Sequence, residues 1–286
     1  KRRCIVIEVL SGGMYTNIQD MGRFGYRSQG VPVSGAMDQF SAGLSNRLLG
    51  NAEGDAVLEI THIGPVLRFT QSTVIAITGA GFSPTYNDVE IPLNTRVHVR
   101  PGGVLKFGLP GYGIRAYLAV LGGFQSDYIM GSYSFYEGVT PKASLSSGDV
   151  LRISEITSAK EKTTASVKID RTVFERRYLE VLKGPEFDQL STSFQEALVT
   201  TFATVSSKSN RMAYLLEGFH GLTATEIITA PVQPGTVQLM PSGHCAVLMR
   251  DAQTTGGYAR VLQLTESAIN TLAQKRAGDE VCFKLK

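Results

Sequence analysis

The stretch Arg96-Val97-His98-Val99-Arg100, closed by Pro101-Gly102-Gly103, alternates polar and apolar side chains and then meets three turn formers. A period of two puts the valines on one face and Arg96, His98 and Arg100 on the other, as in a half-buried strand. Proline and glycine then turn the chain. The same pattern repeats on both sides of this stretch. Residues 4–10, 73–78, 104–107, 114–120 and 149–153 are short and β-branched or alternating, and similar runs follow at 178–182, 203–205, 236–240, 245–249 and 261–264. Thirty glycines punctuate the 286 residues and supply the positive φ angles that tight turns need. The pattern predicts a mainly β fold with a few short helices.

Three stretches have helical spacing. The first follows Asp38, carries Phe40, Leu44 and Leu48 on one side, and stops at Gly50-Asn51, residues suited to a left-handed cap. The second covers 186–199, with Leu190, Phe194, Ala197 and Leu198 at helical intervals. The third covers 266–276, with Ile269, Leu272 and Ala273 inward and Lys275 and Arg276 where the helix dipole favours cations.

Residues 157–164 are polar and lack an apolar period, as a linker should. The chain is therefore expected to form an N-terminal β lobe at 1–155, a linker at 156–177 and a C-terminal β lobe at 178–286. The lobes end alike, in Gly148-Asp149-Val150-Leu151-Arg152-Ile153 and Gly278-Asp279-Glu280-Val281-Cys282-Phe283. Two β-barrel-like units of related design would account for this.

Composition narrows the class. A net charge of +3, with Lys1-Arg2-Arg3 the sole basic cluster, argues against nucleic acid as a partner. No apolar run reaches the length of a membrane span, and no signal-peptide pattern is present, although the chain does not begin with Met. Cys4, Cys245 and Cys282 lie in apolar runs and are odd in number, so buried free thiols in a reducing cytoplasm are expected.

Several familiar motifs are missing. Thr78-Gly79-Ala80-Gly81 follows a strand but leads to Pro84 and Asn87-Asp88 rather than to a glycine opening a helix, so it reads as a turn. There is no phosphate-loop sequence and no Gly-x-Ser-x-Gly elbow. His62, His98, His220 and His244 show no ligand spacing, so no metal site is expected. No Ala-Met-Lys-Met-like segment could carry covalent biotin, which excludes a self-contained carboxylase.

Three polar, glycine-punctuated segments stand out. The first contains Thr16-Asn17-Ile18-Gln19-Asp20-Met21-Gly22-Arg23-Phe24-Gly25-Tyr26 and continues through Gly30-Val31-Pro32-Val33-Ser34-Gly35-Ala36-Met37-Asp38 to Asn46-Arg47-Leu48-Leu49-Gly50-Asn51. The second is Ser209-Asn210-Arg211-Met212-Ala213-Tyr214, and the third Asp251-Ala252-Gln253-Thr254-Thr255-Gly256-Gly257-Tyr258. On residue chemistry, Asp20, Arg23 and Asp38 either cap turns and pair with one another or meet a ligand whose approach the glycines permit. Asp-x-Gln-Thr-Thr places one anion and three neutral donors after a buried strand, a suitable arrangement for a planar amide or ureido group.

In their order, these segments resemble the allophanate hydrolase subunit 2 family, which includes the third subunit of bacterial 5-oxoprolinase and the antagonist of a sporulation kinase inhibitor. The chain is also similar to part of the carboxyltransferase domain of urea carboxylase. The resemblance spans Gly12 to the C-terminus and implies two cyclophilin-like β-barrel lobes. It also implies an ATP-dependent complex that hydrolyses 5-oxo-L-proline to L-glutamate with ATP (and Mg2+) as cosubstrate. The implied partners are a smaller subunit like allophanate hydrolase subunit 1 and a lactam-hydrolase-like subunit; self-association is also expected. Two other roles stay open: a regulatory module that only engages the smaller subunit, and a carboxyltransferase component acting on urea or a similar amide.

The chain departs from the family pattern in three places. Tyr133 follows Gly131-Ser132 where the family has arginine, and the loop through Pro141-Lys142 lacks a Gly-Gly-x-x-Gly-Arg stretch. Asn210, Ala213 and Leu215 replace aspartate, glycine and arginine, and Thr229-Ala230 replaces a Ser-Glu pair. Residue chemistry suggests Arg211 or Arg23 as a clamp for the substrate carboxylate. Gln253, Thr254 and Thr255 would be oxyanion donors and Asp251 a general base. Asp20, Ser34, Asp38 and Tyr258 complete the candidate substrate-binding set.

Overall fold

The computed structural model describes residues 5–153, 167–223 and 226–286. They divide into two compact units, one drawn from Lys1–Arg23 and Ser34–Asp170, the other from Phe24–Val33 and Arg171–Lys286. The segment Phe24–Val33 therefore belongs with the second unit, whereas its place in the chain suggested the first. The fold is mainly β, as expected, with 21 strands and four α-helices among the described residues.

The first unit has two antiparallel sheets. One has seven strands in the order Phe124–Gln125, Val150–Ile153, Ile5–Ser11, Val66–Phe69, Val104–Phe107, Pro84–Tyr86 and Val89–Glu90. The other has five: Tyr15–Gln19, Val57–Thr61, Arg115–Val120, Thr73–Gly79 and Arg96–Val99. Their facing side chains, among them Ile7, Leu67, Phe69 and Leu105 from one and Ile18, Leu58, Ile75 and Leu118 from the other, form a continuous core. The opposite face of the five-stranded sheet is covered by the helix Gln39–Leu49, whose Ala42, Leu44, Leu48 and Leu49 pack on Val57, Val74, Ala76 and Ala119. Burial on both faces explains why Thr73–Gly79 and Arg115–Val120 are buried at every position and are predominantly apolar.

The helix starts and stops where its sequence indicates. Asp38 caps it by accepting from the Ser41 amide at 3.0 Å, and Gly50 ends it in the left-handed region. Phe40 does not share the buried face with Leu44 and Leu48 as expected. It is 57% exposed, with the Arg47 guanidinium over its ring. The first turn is instead anchored by a polar contact, Thr78 Oγ1 donating to the Ser41 carbonyl at 2.7 Å.

A row of polar side chains lies on the same face. Register aligns Asn17 with Glu59, Glu59 with Tyr117, and Tyr117 with Thr78. Glu59 Oε2 accepts from the Tyr117 hydroxyl at 2.9 Å and from the Met37 amide at 2.7 Å. The Tyr117 oxygen accepts from the Asp38 amide at 2.8 Å, and Arg115 Nε lies 3.8 Å from Glu59 Oε1. Burial first, then the nearby Glu59 and Asp38 carboxylates, raise the Tyr117 pKa well above its ordinary value, so it remains a neutral donor. This network holds the chain leading into the helix against the sheet.

In the second unit, seven strands close into a barrel in the order Tyr178–Lys183, Ala259–Leu264, Thr236–Leu239, Cys245–Leu248, Ala213–Glu217, Ala203–Val205 and Glu280–Leu285. Parallel pairing of the last strand with the first, Tyr178 opposite Cys282 through Val181 opposite Leu285, completes the ring. Leu179, Val181, Leu216, Val237, Val247 and Leu262 are fully buried. Cys245 and Cys282 are buried free thiols, and burial raises the Cys245 pKa beyond the ordinary thiol range; Cys4 lies outside the described residues.

Two helices differ from their expected extents. The run 186–199 splits into a 3-10 turn, Phe187–Gln189, and a helix, Thr192–Thr200, because Ser191 caps the latter through the Phe194 amide. The last helix is shorter, Glu266–Leu272, and Lys275 is buried beyond it, donating to the Phe174 carbonyl at 2.8 Å. Half of the expected linker, 156–166, lies outside the described residues, and the helix Thr172–Glu175 forms near its end. Among the described residues no helix is long and apolar enough to cross a membrane.

Replacing Tyr117 with Phe removes the donor to Glu59 and the acceptor for the Asp38 amide while preserving the ring. Chemical denaturation should register a loss of about 1–3 kcal/mol; an unchanged unfolding midpoint would show that the network does not hold this face.

Candidate functional site

In the first unit, Asp20 is enclosed by its own fold. Its carboxylate accepts from the Gly22 amide at 2.8 Å, the Tyr133 amide at 2.6 Å, and the Ser132 and Ser134 hydroxyls, each at 2.7 Å. Arg23, fully buried, donates through Nε to the Ile129 carbonyl at 3.1 Å and through Nη2 to the Ser134 carbonyl at 2.8 Å. Asp20 and Arg23 thus meet through residues 129–134, and the open edge of the Tyr15–Gln19 strand is met by the Phe135 and Leu145 amides, which donate to the Ile18 and Thr16 carbonyls at 2.9 and 2.7 Å. Ser132 and Ser134 were not among the sequence candidates; the only signal was their position beside the family departure at Tyr133. That departure leaves the cage intact, because the contact comes from the Tyr133 backbone.

Ser34 and Asp38 lie further along the same unit. Ser34 is fully buried with a positive φ of 56°, and its hydroxyl has no hydrogen-bond partner among the described residues. Gly35 follows at φ 92°, so close to Gly22 that an added Cβ would lie 2.9 Å from the Gly22 nitrogen. A side chain there would push the two halves of the first segment apart.

In the second unit, Arg211 and Asp251 form a bidentate pair. Arg211 Nε donates to Asp251 Oδ2 at 2.7 Å and Nη2 to Oδ1 at 3.1 Å, while the Asp251 amide donates to the Arg211 carbonyl at 3.0 Å. The side chains are only 7% and 11% exposed. Barrel register places them together: Ala213 pairs with Leu248, so the residues before one strand face those after the other. Asn210 Oδ1 accepts from the Met212 and Ala213 amides at 2.8 and 3.3 Å. An aspartate, as in the family, would accept the same bonds.

The rest of the third segment is presented outward. Gln253 and Thr255 are exposed, Thr254 and Tyr258 half-buried. Thr255–Gly256 forms a ribbon with Ala230–Pro231, and a Cβ on Gly256 would come within 2.5 Å of the Gln238 side-chain nitrogen. Among the described residues no group of three or more His, Cys, Asp or Glu is placed to hold a metal ion. Sequence reasoning also missed Glu186, which pairs with Arg260 through Nε at 3.0 Å and Nη2 at 2.7 Å. The hydrogen bond from Arg260 lowers the Glu186 pKa.

A closed barrel, a two-sheet unit and these three segments together define a carboxyltransferase-type chain. The chain belongs to the family described as carboxyltransferase domain, subdomain A and B, whose model matches residues 29–285. It is 33% identical to the C subunit of 5-oxoprolinase from Escherichia coli over 97% of this chain and 90% of that protein. The corresponding Haemophilus influenzae protein is 31% identical, with 98% and 91% covered. The crystal structure of the Kluyveromyces lactis urea amidolyase superposes at a TM-score of 0.86 and 28% identity over 99% of this chain, which spans only 19% of that longer protein. A further crystal structure matches at a TM-score of 0.88, and this chain spans 56% of its length.

The Glu186–Arg260 pair makes a pH prediction. Because the folded-state pKa of Glu186 lies below its unfolded value, its stabilisation is complete above the unfolded value and is lost as pH falls through the folded one. The stability gap between the native chain and Glu186→Gln should therefore be constant at neutral pH and shrink below about pH 4.5. A gap independent of pH in acid unfolding would contradict the ion pair.

Proposed function

We propose that this chain is a subunit of an ATP-dependent 5-oxoprolinase, acting with a smaller partner subunit and a lactam-hydrolase-like subunit to open 5-oxo-L-proline to L-glutamate. The observation that carries this reading is the similarity to two 5-oxoprolinase C subunits along nearly the whole of both chains. By contrast, this chain spans only 7% of the Saccharomyces cerevisiae urea amidolyase and 24% of a putative urea carboxylase from Emericella nidulans, although the latter match covers 97% of this chain.

The chemistry sets the requirements. An unstrained lactam resists water, and phosphorylating its oxygen with ATP creates a better electrophile. The protein must then clamp the substrate carboxylate, stabilise the developing oxyanion and orient water. Arg211 suits the clamp, and Asp251 acts on it as a positioning residue by fixing the plane of its guanidinium. The general-base role read from the sequence is not retained for Asp251, because both of its carboxylate oxygens accept from Arg211. Gln253, Thr254 and Thr255 suit the donor role, since their side chains are not engaged in the barrel core.

Purifying the chain alone and together with its candidate partners, then measuring ATP-dependent glutamate release from 5-oxoproline, tests this reading. Turnover is expected only from the assembled complex. Robust turnover by the isolated chain would contradict the subunit role. A complex inert towards 5-oxoproline that carboxylates urea from a biotinylated carrier would replace this reading with the carboxyltransferase one.

A further inference from the structure

Beside the barrel of the second unit is a cavity of about 250 Å3, walled in part by Arg27, Lys183, Arg260, Gln233, Thr236 and Gln263. Arg27 comes from the 3-10 turn Arg27–Gln29, in the segment that belongs to this unit. None of these residues has a role in the function proposed above.

Three cations border this space, and two carboxylates answer them. Arg260 is committed to Glu186 through Nε and Nη2, and its Nη1 donates to the Pro231 carbonyl at 3.1 Å. Lys183 pairs with Asp188 at 2.9 Å, but the two side chains are 53% and 77% exposed. An exposed pair of this kind is weakly held and readily exchanged for a better anion. Arg27 has neither an ion pair nor a side-chain hydrogen bond among the described residues. One positive charge is therefore left over, on a residue that lines the cavity.

The neutral groups divide in the same way. Gln263 is fully used, its Nε2 donating to the Pro234 and Leu264 carbonyls and its Oε1 accepting from Thr236. The Gln233 side chain has no bond within the described residues and can add a donor. Arg27, Lys183 and Gln233 line one small space from separate elements. That suits the several terminal oxygens of a tetrahedral oxyanion better than the two coplanar oxygens of a carboxylate.

We propose that this cavity is a phosphate-binding site, with Arg27 as its principal ligand and Lys183 and Gln233 as supporting donors. The anion is either free phosphate or the phosphate chain of a nucleotide. The site stands apart from the 5-oxoprolinase reading, because the binding needs no partner subunit and no turnover.

Isothermal titration of the full chain with inorganic phosphate, tripolyphosphate, ATP and acetate tests the proposal. Phosphate-bearing ligands should bind in mutual competition, with affinity falling as salt rises, and acetate should bind far more weakly. Arg27→Gln should weaken binding by roughly ten- to a hundredfold, as expected for losing charge-assisted hydrogen bonds. Arg27→Lys should retain part of the affinity and Lys183→Gln should cost less, with thermal unfolding checking that each variant is folded. Competitive binding of ATP and tripolyphosphate identifies a nucleotide site, and binding of phosphate without ATP identifies a free-anion site. Equal affinity in Arg27→Gln, acetate binding as tightly as phosphate, or no binding of any phosphate anion would overturn the proposal.

Discussion

The second unit depends on one interaction more than any other, the buried pair between Arg211 and Asp251. Taking both charges out of water is costly, and the pair is tolerable only because its geometry is good. Two parallel hydrogen bonds join guanidinium to carboxylate, and a third joins the two backbones. The pair fastens the end of the Cys245–Leu248 strand to the start of Ala213–Glu217, so the second and third signature segments are held as one rigid element. Neighbouring Arg250 turns the other way to pair with Glu266 at the head of the last helix. Arg211 and Arg250 are thus paired with different acids.

The first unit uses the same device with different chemistry. The Asp20 carboxylate accepts from two amides and two hydroxyls, and that of Glu59 from an amide and the Tyr117 hydroxyl, with Arg115 nearby. Carboxylates satisfied in this way rigidify a loop, whereas unpaired ones would destabilise it. In both units the acids that looked functional in the sequence are held by their own fold, Asp20 by loop donors and Asp251 by Arg211. The neutral, outward residues Gln253 and Thr255 are what the scaffold presents. At the family departures Tyr133 and Asn210 the local contacts come from a backbone amide and an amide oxygen.

The β character was legible because most strands have one solvent face, and period-two alternation such as Arg96–Val99 or Tyr178–Lys183 survives in the sequence. Glu59 and Tyr117 escaped notice because they sit inside apolar runs, where a lone polar residue has no periodic signature. The three segments were recognisable from glycine and polar residues at fixed intervals. Whether Asp251 faces a ligand or an arginine 40 residues away depends on strand register, which a single sequence leaves open. Phe40 misled for a related reason, since helical spacing identifies a stripe but not where a neighbouring sheet stops covering it.

A double-mutant cycle on Arg211 and Asp251 tests the central claim most directly. Unfolding free energies would be measured for Arg211→Met, Asp251→Asn and the double variant. A pair that organises the barrel end predicts that each single change costs roughly 3–5 kcal/mol by leaving a buried charge unanswered, and that the double variant loses clearly less than the sum. Single losses below about 1 kcal/mol, additive in the double variant, would place the pair among ordinary surface contacts and contradict this account.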